Sequence, residues 1–375
     1  MLSGGSGGGT VAPWNPSITV DTTTTLGSGG GADWWGRSAV KRRPDGVLVL
    51  VYYRSTGHVT NDGFCHTIMS DDDGATWTAE DTDLDANVIP DIIPSAAGAG
   101  EDAGEPWLYV APNGDLVLHT WRVNYGSSNN GSYQFRYDPA AHEWVEEGKL
   151  AWTGGSLSST NTFQTDDDFV YNGVTYAGVR TYNGASYTDC YMSLVKNATP
   201  DLDVAAWEYV SDITGPSETA CIEVGIEYVG NSTIIAMLRS LAHNAGYRRV
   251  STDMGATWGS LDNVTSSTDI LGRNRVYTRM HLRGEAGWWK DPNLVMVGYV
   301  QTDPGNSQGR RNAVWFSPDR GTTWSAPQYI DTTNDDGGYG DIFATGDATL
   351  TVVNYRGTLT AASLKQYDLT VDLTA

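Results

Sequence analysis

Apolar and polar positions along the chain come in short runs, and turn dipeptides cut one run from the next. Val47-Leu48-Val49-Leu50-Val51-Tyr52-Tyr53 and Ser232-Thr233-Ile234-Ile235-Ala236-Met237-Leu238 have strand length and a β-branched, aromatic-rich composition. Two-residue hairpin turns are predicted at Asp45-Gly46, Asn113-Gly114, Asn172-Gly173, Gly230-Asn231 and Gly346-Asp347. A less regular turn around Asp291-Pro292-Asn293 fills the remaining gap. No stretch sustains a helical period for three turns, and 44 glycines suit a chain full of turns. The pattern predicts an all-β protein.

One phrase recurs between these runs, S-x-D-x-G-x-T-W, at Ser70–Trp77, Ser251–Trp258 and Ser317–Trp324. Its Asp can accept hydrogen bonds from the N–H groups of a tight turn, and its Gly supplies a positive φ. Its Trp carries a large apolar body into a core. The first two copies start 181 residues apart and the last two 66, close to three periods and one. With the hairpin turns this gives six units of about 60 residues, each long enough for a four-stranded blade. The expected architecture is therefore a six-bladed β-propeller over residues 17–375. The Gly-rich residues 1–16 read as a flexible leader or linker.

Composition narrows the partners. A formal charge of −22 argues against nucleic acid and anionic membrane. No apolar run approaches the roughly 18 residues of a membrane span, and no signal-peptide pattern is visible. A monomer is expected. Cys65, Cys190 and Cys221 are too few and scattered for a disulfide framework or a zinc site, so buried free thiols are expected. The acidic runs Asp166-Asp167-Asp168 and Asn334-Asp335-Asp336 offer oxygen ligands of the kind Ca²⁺ takes, but such runs are more often solvated loops. No cofactor is implied.

Residues equidistant from a hairpin turn sit opposite each other. That rule pairs Glu223 with Arg239 across Gly230-Asn231, and Arg37 with Arg54 across Asp45-Gly46. Tyr339 falls at the far end of the strand feeding Gly346-Asp347. Within a blade the repeated phrase joins the face of the first hairpin turn, so these residues lie on the opposite face. Arg310 and Arg311, at the start of the strand running into the third phrase, join them there. Arginines from three blades, a glutamate and a tyrosine thus converge on one mouth.

These residues also carry a family resemblance. The repeated phrase is the Asp-box, or BNR repeat, and resembles the signature of sialidase-type propellers. Gly36-Arg37-Ser38-Ala39 followed by Pro44-Asp45-Gly46 is similar to the sialidase Y/F-R-I-P-A…P-x-G opening without its I-P pair. Glu223 through Arg239-Ser240 to the second box resembles the family's Glu…Arg-Ser…Asp-box stretch. Arg310-Arg311-Asn312 resembles its R-x-N entry, and Gly338-Tyr339-Gly340 stands where the family has S-Y-S. The match covers blades one and four to six.

The resemblance implies a retaining exo-acting hydrolase that releases terminal sialic acid or a related nonulosonic acid from glycans. Arg37, Arg239 and Arg310, with Arg311 as substitute for the third, would clamp the sugar carboxylate. Arg54 is a further candidate substrate contact. Tyr339 would attack and Glu223 would take its proton, since an anionic nucleophile is repelled by the same carboxylate. The acid/base falls on the loop Arg54–Gly63, where Asp62 fits the family's chemistry and His58 is the alternative. A propeller lyase acting on uronate polymers and a non-catalytic glycan-binding propeller are the competing readings.

Overall fold

A computed structural model describes residues 16–28, 34–57, 63–78, 101–124, 131–141, 143–154, 162–182, 190–215, 218, 221–240, 246–264, 276–280, 293–301, 309–333, 335–358 and 360–372. In chain order, β1 (Ser17–Ser28) precedes β2 (Trp34–Arg42), β3 (Leu48–Ser55) and β4 (Phe64–Ser70). Next come β5 (Glu101–Val110), β6 (Leu116–Asn124), β7 (Gly131–Asp138) and β8 (Glu143–Lys149). They are followed by β9 (Trp152–Thr153), β10 (Thr162–Tyr171), β11 (Val174–Tyr182), β12 (Cys190–Asn197) and β13 (Trp207–Asp212). Then come β14 (Cys221–Tyr228), β15 (Ile234–Ser240), β16 (Gly246–Ser251) and β17 (Asp262–Asn263). The series ends with β18 (Val276–Met280), β19 (Leu294–Gln301), β20 (Arg310–Ser317), β21 (Gln328–Tyr329), β22 (Asp336–Gly346), β23 (Thr349–Gly357) and β24 (Ala362–Asp372).

All the described regular structure is β. Strands β5–β8, β10–β13 with β9 on the edge, β14–β17 and β18–β21 form separate sheets. The rest make one seven-stranded sheet, in which β22-β23-β24 continues into β2-β3-β4 and β1 pairs with β24. The expectation of six separate blades is therefore corrected to four. The physical reason is a single parallel pairing, Trp34 with Ala362, which fuses strands from the two ends of the chain. The first strands β2, β5, β10, β14, β18 and β22 contact one another in turn around a ring, which is the arrangement of a β-propeller.

Each of the five predicted dipeptides falls at a turn that closes a hairpin, but only Asn172-Gly173 forms the two-residue turn expected: three of the loops hold three residues, and the last turn is 347–348, with Gly346 paired to Thr349. Tyr171 pairs with Val174 across Asn172-Gly173, whose φ values of 51° and 76° are those of the turn the dipeptide favours. Apolar side chains alternate onto both faces of the middle strands and pack between consecutive sheets. Val49, Val51 and Cys65, for example, meet Leu108, Leu118, Phe135 and Trp144. Cys65 and Cys221 are buried free thiols, as expected.

The three repeated phrases close the same turn. In the first, Ser70 Oγ donates to Asp72 Oδ1 at 2.8 Å and accepts from Gly74 N at 2.8 Å. Asp72 also takes Thr76 N at 2.8 Å and Thr76 Oγ1 at 2.6 Å. The bonds repeat at Ser251, Asp253, Gly255 and Thr257, and again at Ser317, Asp319, Gly321 and Thr323. The tryptophans brace neighbouring structure: Trp77 Nε1 donates to Gln366 on β24, and Trp258 Nε1 to Ser211 on β13. Trp324 is buried, whereas Trp77 and Trp258 are only partly so. Ser251 pairs with Ile234 at one end of β15, and Gly246 with Arg239 at the other. The phrases and the candidate site thus occupy opposite faces.

Three carboxylates of the acidic runs, Asp167, Asp168 and Asp336, are not solvated loop groups, which corrects that expectation for them. Asp167 is 1% exposed and Asp336 0%. Both runs enter innermost strands. Lys41 Nζ on β2 reaches Asp168 Oδ1 on β10 at 2.8 Å, past the intervening β5–β8 sheet, so the pair meets across the middle of the ring. Burial, with Asp168, Glu227 and Asp341 adding negative charge, pushes the Asp167 carboxyl well above the usual range despite Lys41. Among the described residues no group of three or more His, Cys, Asp or Glu side chains is placed to hold a metal ion.

Candidate active site

Two innermost strands carry the same irregularity at the mouth. On β2 the register moves from Gly36 opposite Tyr53 to Ala39 opposite Val51, one extra residue on the inner strand. On β22 it moves from Gly338 opposite Tyr355 to Asp341 opposite Val353. Each bulge puts a non-glycine residue in the left-handed region, Arg37 and Tyr339, both with φ 49°. Such a conformation costs on the order of 1–3 kcal/mol and persists where the surroundings enforce it. The glycines beside Tyr339 make room. A Cβ on Gly338 would lie 2.5 Å from the Tyr299 ring, and one on Gly340 2.4 Å from Asn354 Cβ.

Glu223 and Arg239 face each other across β14 and β15 as the turn rule requires. Both are 5% exposed. Arg239 Nη1 donates to Glu223 Oε1 at 2.8 Å and Oε2 at 2.7 Å. The Tyr339 hydroxyl donates to Glu223 Oε1 at 3.2 Å, and Arg239 Nη1 lies 3.3 Å from the same hydroxyl. The Arg37 guanidinium stands 5.5 Å from the Tyr339 ring centre and 5.7 Å from that of Tyr53. Burial and then the Glu223 charge hold the Tyr339 phenol well above its ordinary pKa, against the pull of Arg239 and Arg37. Tyr339 is therefore a neutral phenol that donates to a buried carboxylate. Burial opposes the Arg239 charge, but the Glu223 carboxylate outweighs it and raises the Arg239 pKa.

Arg310 reaches the same region. Its Nη1 donates to Asp336 Oδ1 at 2.8 Å, and its guanidinium lies 4.7 Å from the Tyr299 ring centre. Arg311 and Arg54 are not brought to this group. Arg311 packs 4.0 Å over Tyr329 and donates to Asp331 O, and Arg54 lies 4.8 Å over Trp35. His58 and Asp62 lie outside the described residues.

Sequence reasoning missed Asp336, Tyr355 and Tyr53. Tyr355 donates to Asp336 Oδ1 at 3.3 Å, and its ring stacks on that of Tyr339 with centres 6.2 Å apart. The turn rule, applied to Gly338 instead of its neighbour, would have paired it with Tyr355. Tyr53 lay beyond it, since counting from Asp45-Gly46 puts Ser55 and not Tyr53 opposite Gly36.

No protein-family model matches the chain, and no curated protein matches it by sequence. Solved structures share the fold. A Dyadobacter fermentans protein of unknown function superposes with a TM-score of 0.73 at 13% identity, over 95% of this chain and 100% of that one. The Hadza microbial sialidase Hz136 gives 0.61 at 14% identity, over 89% of this chain and 65% of that one. The α-L-arabinanase of Penicillium chrysogenum, solved with arabinobiose, gives 0.62 at 15% identity, over 95% and 99%. The fold is that of β-propeller glycoside hydrolases of both kinds.

Proposed function

We propose that this chain is a retaining exo-acting glycoside hydrolase that removes terminal sialic acid or a related nonulosonic acid. The carrying observation is the Tyr339–Glu223–Arg239 contact set, a buried carboxylate accepting from a phenol at 3.2 Å. In this reading Glu223 takes the Tyr339 proton as the phenolic oxygen attacks the anomeric carbon, and the tyrosyl-sugar is then hydrolysed. Arg37, Arg239 and Arg310 hold the sugar carboxylate, and Asp62, with His58 as alternative, protonates the leaving oxygen. The six-blade count belongs to the same reading: the seven-stranded sheet is taken as two blades joined at Trp34, and the repeated turns as Asp-boxes. Release of free sialic acid from an α-ketoside, abolished by Tyr339→Phe, tests it. No release from the wild-type protein would reject it.

A second reading, hydrolysis of a neutral arabinose polymer, draws on one observation besides the shared fold. Arg239 and Arg310 each already face a buried carboxylate, Glu223 and Asp336, which weakens the case for an anionic substrate. Release of arabinose from arabinan would favour it. An unsaturated, ultraviolet-absorbing product would instead mark a lyase, and binding without turnover a glycan-binding module.

A further inference from the structure

Two Tyr–carboxylate–Arg triplets stand side by side at the mouth. Tyr339, Glu223 and Arg239 form the first, and Tyr355, Asp336 and Arg310 the second, with the two tyrosine rings stacked. The proposed reaction absorbs the first and, of the second, only Arg310, leaving Tyr355 and Asp336 without a task. Tyr355 and Asp336 are each 0% exposed, so neither meets a sugar. Arg310 is their route to the ligand. Its Nη1 is held by Asp336, while its Nη2 makes no hydrogen bond among the described residues. Nη2 of Arg239 is in the same condition, its Nη1 being held by Glu223. Each guanidinium therefore keeps one terminal nitrogen for a ligand and has a carboxylate against the other.

We infer that Asp336 is a specificity-determining residue that limits how strongly the mouth holds an anionic sugar. The guanidinium charges of Arg37, Arg239 and Arg310 are opposed by the carboxylates of Glu223 and Asp336. One positive charge remains, equal in size to the single carboxylate of a nonulosonic acid. In a buried site a carboxylate at hydrogen-bond distance from Arg310 strongly reduces the potential felt by a second anion on the same guanidinium. Tyr355, by donating to Asp336, draws part of that negative charge away from Arg310. The consequence is a grip tight enough to orient the substrate carboxylate and loose enough to release the acidic product. This inference rests on the sialidase-like reading of the mouth.

The test is calorimetry of N-acetylneuraminic acid and its 2,3-unsaturated analogue against wild type and Asp336→Asn, with arabinobiose as the neutral control. The asparagine keeps the volume and an oxygen for Arg310 and removes only the charge. Affinity for both acids should rise at least about tenfold, with arabinobiose unaffected. A purely structural role would never tighten binding. Equal or weaker binding of the acids by the variant, with wild type binding them, overturns the inference and leaves the proposed function standing. Binding by neither protein overturns both. Should Asp336→Asn fail to fold, Tyr355→Phe decides. It leaves the full Asp336 charge on Arg310 and should weaken acid binding a few-fold, and unchanged affinity would overturn the inference.

Discussion

The Tyr339 hydroxyl donates to Glu223 Oε1 although 116 positions separate the two residues and they belong to different sheets. Only ring closure brings them together. Tyr339→Phe removes the oxygen proposed to attack and keeps the ring that stacks on Tyr355. Turnover should fall about a thousandfold or more. The melting temperature should move little, because the lost hydrogen bond is worth about 1 kcal/mol. Steady-state rates and thermal melts on the same preparation check both halves.

Glu223→Gln removes the acceptor for the phenol proton, and turnover should drop by about 10²–10⁴. It also leaves Arg239 without its charge partner in a buried place, so stability should fall by up to about 3–5 kcal/mol. Urea unfolding measures that loss. A variant as stable as wild type would mean that water or another group already shares the Arg239 charge.

Arg239→Ala should weaken ligands that carry the anomeric carboxylate by about one to two decades, the loss of a charge-assisted bond worth roughly 1.5–3 kcal/mol. Calorimetry with the unsaturated sialic acid analogue reads this directly. Equal affinities would place the carboxylate elsewhere.

The acid/base is separated by leaving-group ability. Asp62→Asn should slow hydrolysis of a natural glycoside far more than of an activated aryl glycoside, since a good leaving group needs little protonation. The same comparison on His58→Asn should show no such asymmetry. The reverse pattern would exchange their roles.

Stability should decline on the acid side. Burial lowers the His119 pKa to about 3 and, with help from Arg54, that of His66 to about 4. Each imidazole stays neutral in the folded protein while the unfolded chain binds a proton below pH 6.5. Their contribution is thus present above pH 6.5 and lost as pH falls, by about 1.4 kcal/mol per histidine per pH unit. Asp331, raised to about 6 mainly by burial, has the opposite sign: its contribution is present below 3.8 and lost as pH rises through 6. Unfolding free energies of wild type and His119→Gln between pH 7 and 4.5 should diverge, the variant showing the shallower decline.

Local pattern carried much of this arrangement. The turn dipeptides located five hairpins, and counting from Gly230-Asn231 put Glu223 opposite Arg239. The same counting failed at Arg37, because the turn holds three residues, 44–46, and the bulge on β2 adds a second shift, leaving Arg54 opposite Trp35. A bulge is set by what packs around the strand and leaves no composition signal beyond a glycine. Arg310 and Arg311 could have been separated, since neighbours on a strand point to opposite faces. Asp167, Asp168 and Asp336 were misjudged because a charge run in sequence does not reveal that its strand lines the centre of a ring. The fusion of β2 to β24 lay equally out of reach, being a pairing between residues from the two ends of the chain.

The pairing of β1 with β24, from Ser17 opposite Asp372 to Ser28 opposite Ser363, has a consequence for biosynthesis. β1 leaves the ribosome with the edge that β24 covers still bare and must keep it so until β24 itself has been made. A bare edge invites pairing with other chains. The β1 sequence, Ser-Ile-Thr-Val-Asp-Thr-Thr-Thr-Thr-Leu-Gly-Ser, answers that risk with hydroxyls, a charge and two interruptions of register in place of a continuous apolar face. Its polarity suits a strand that must wait in water for a partner made so much later.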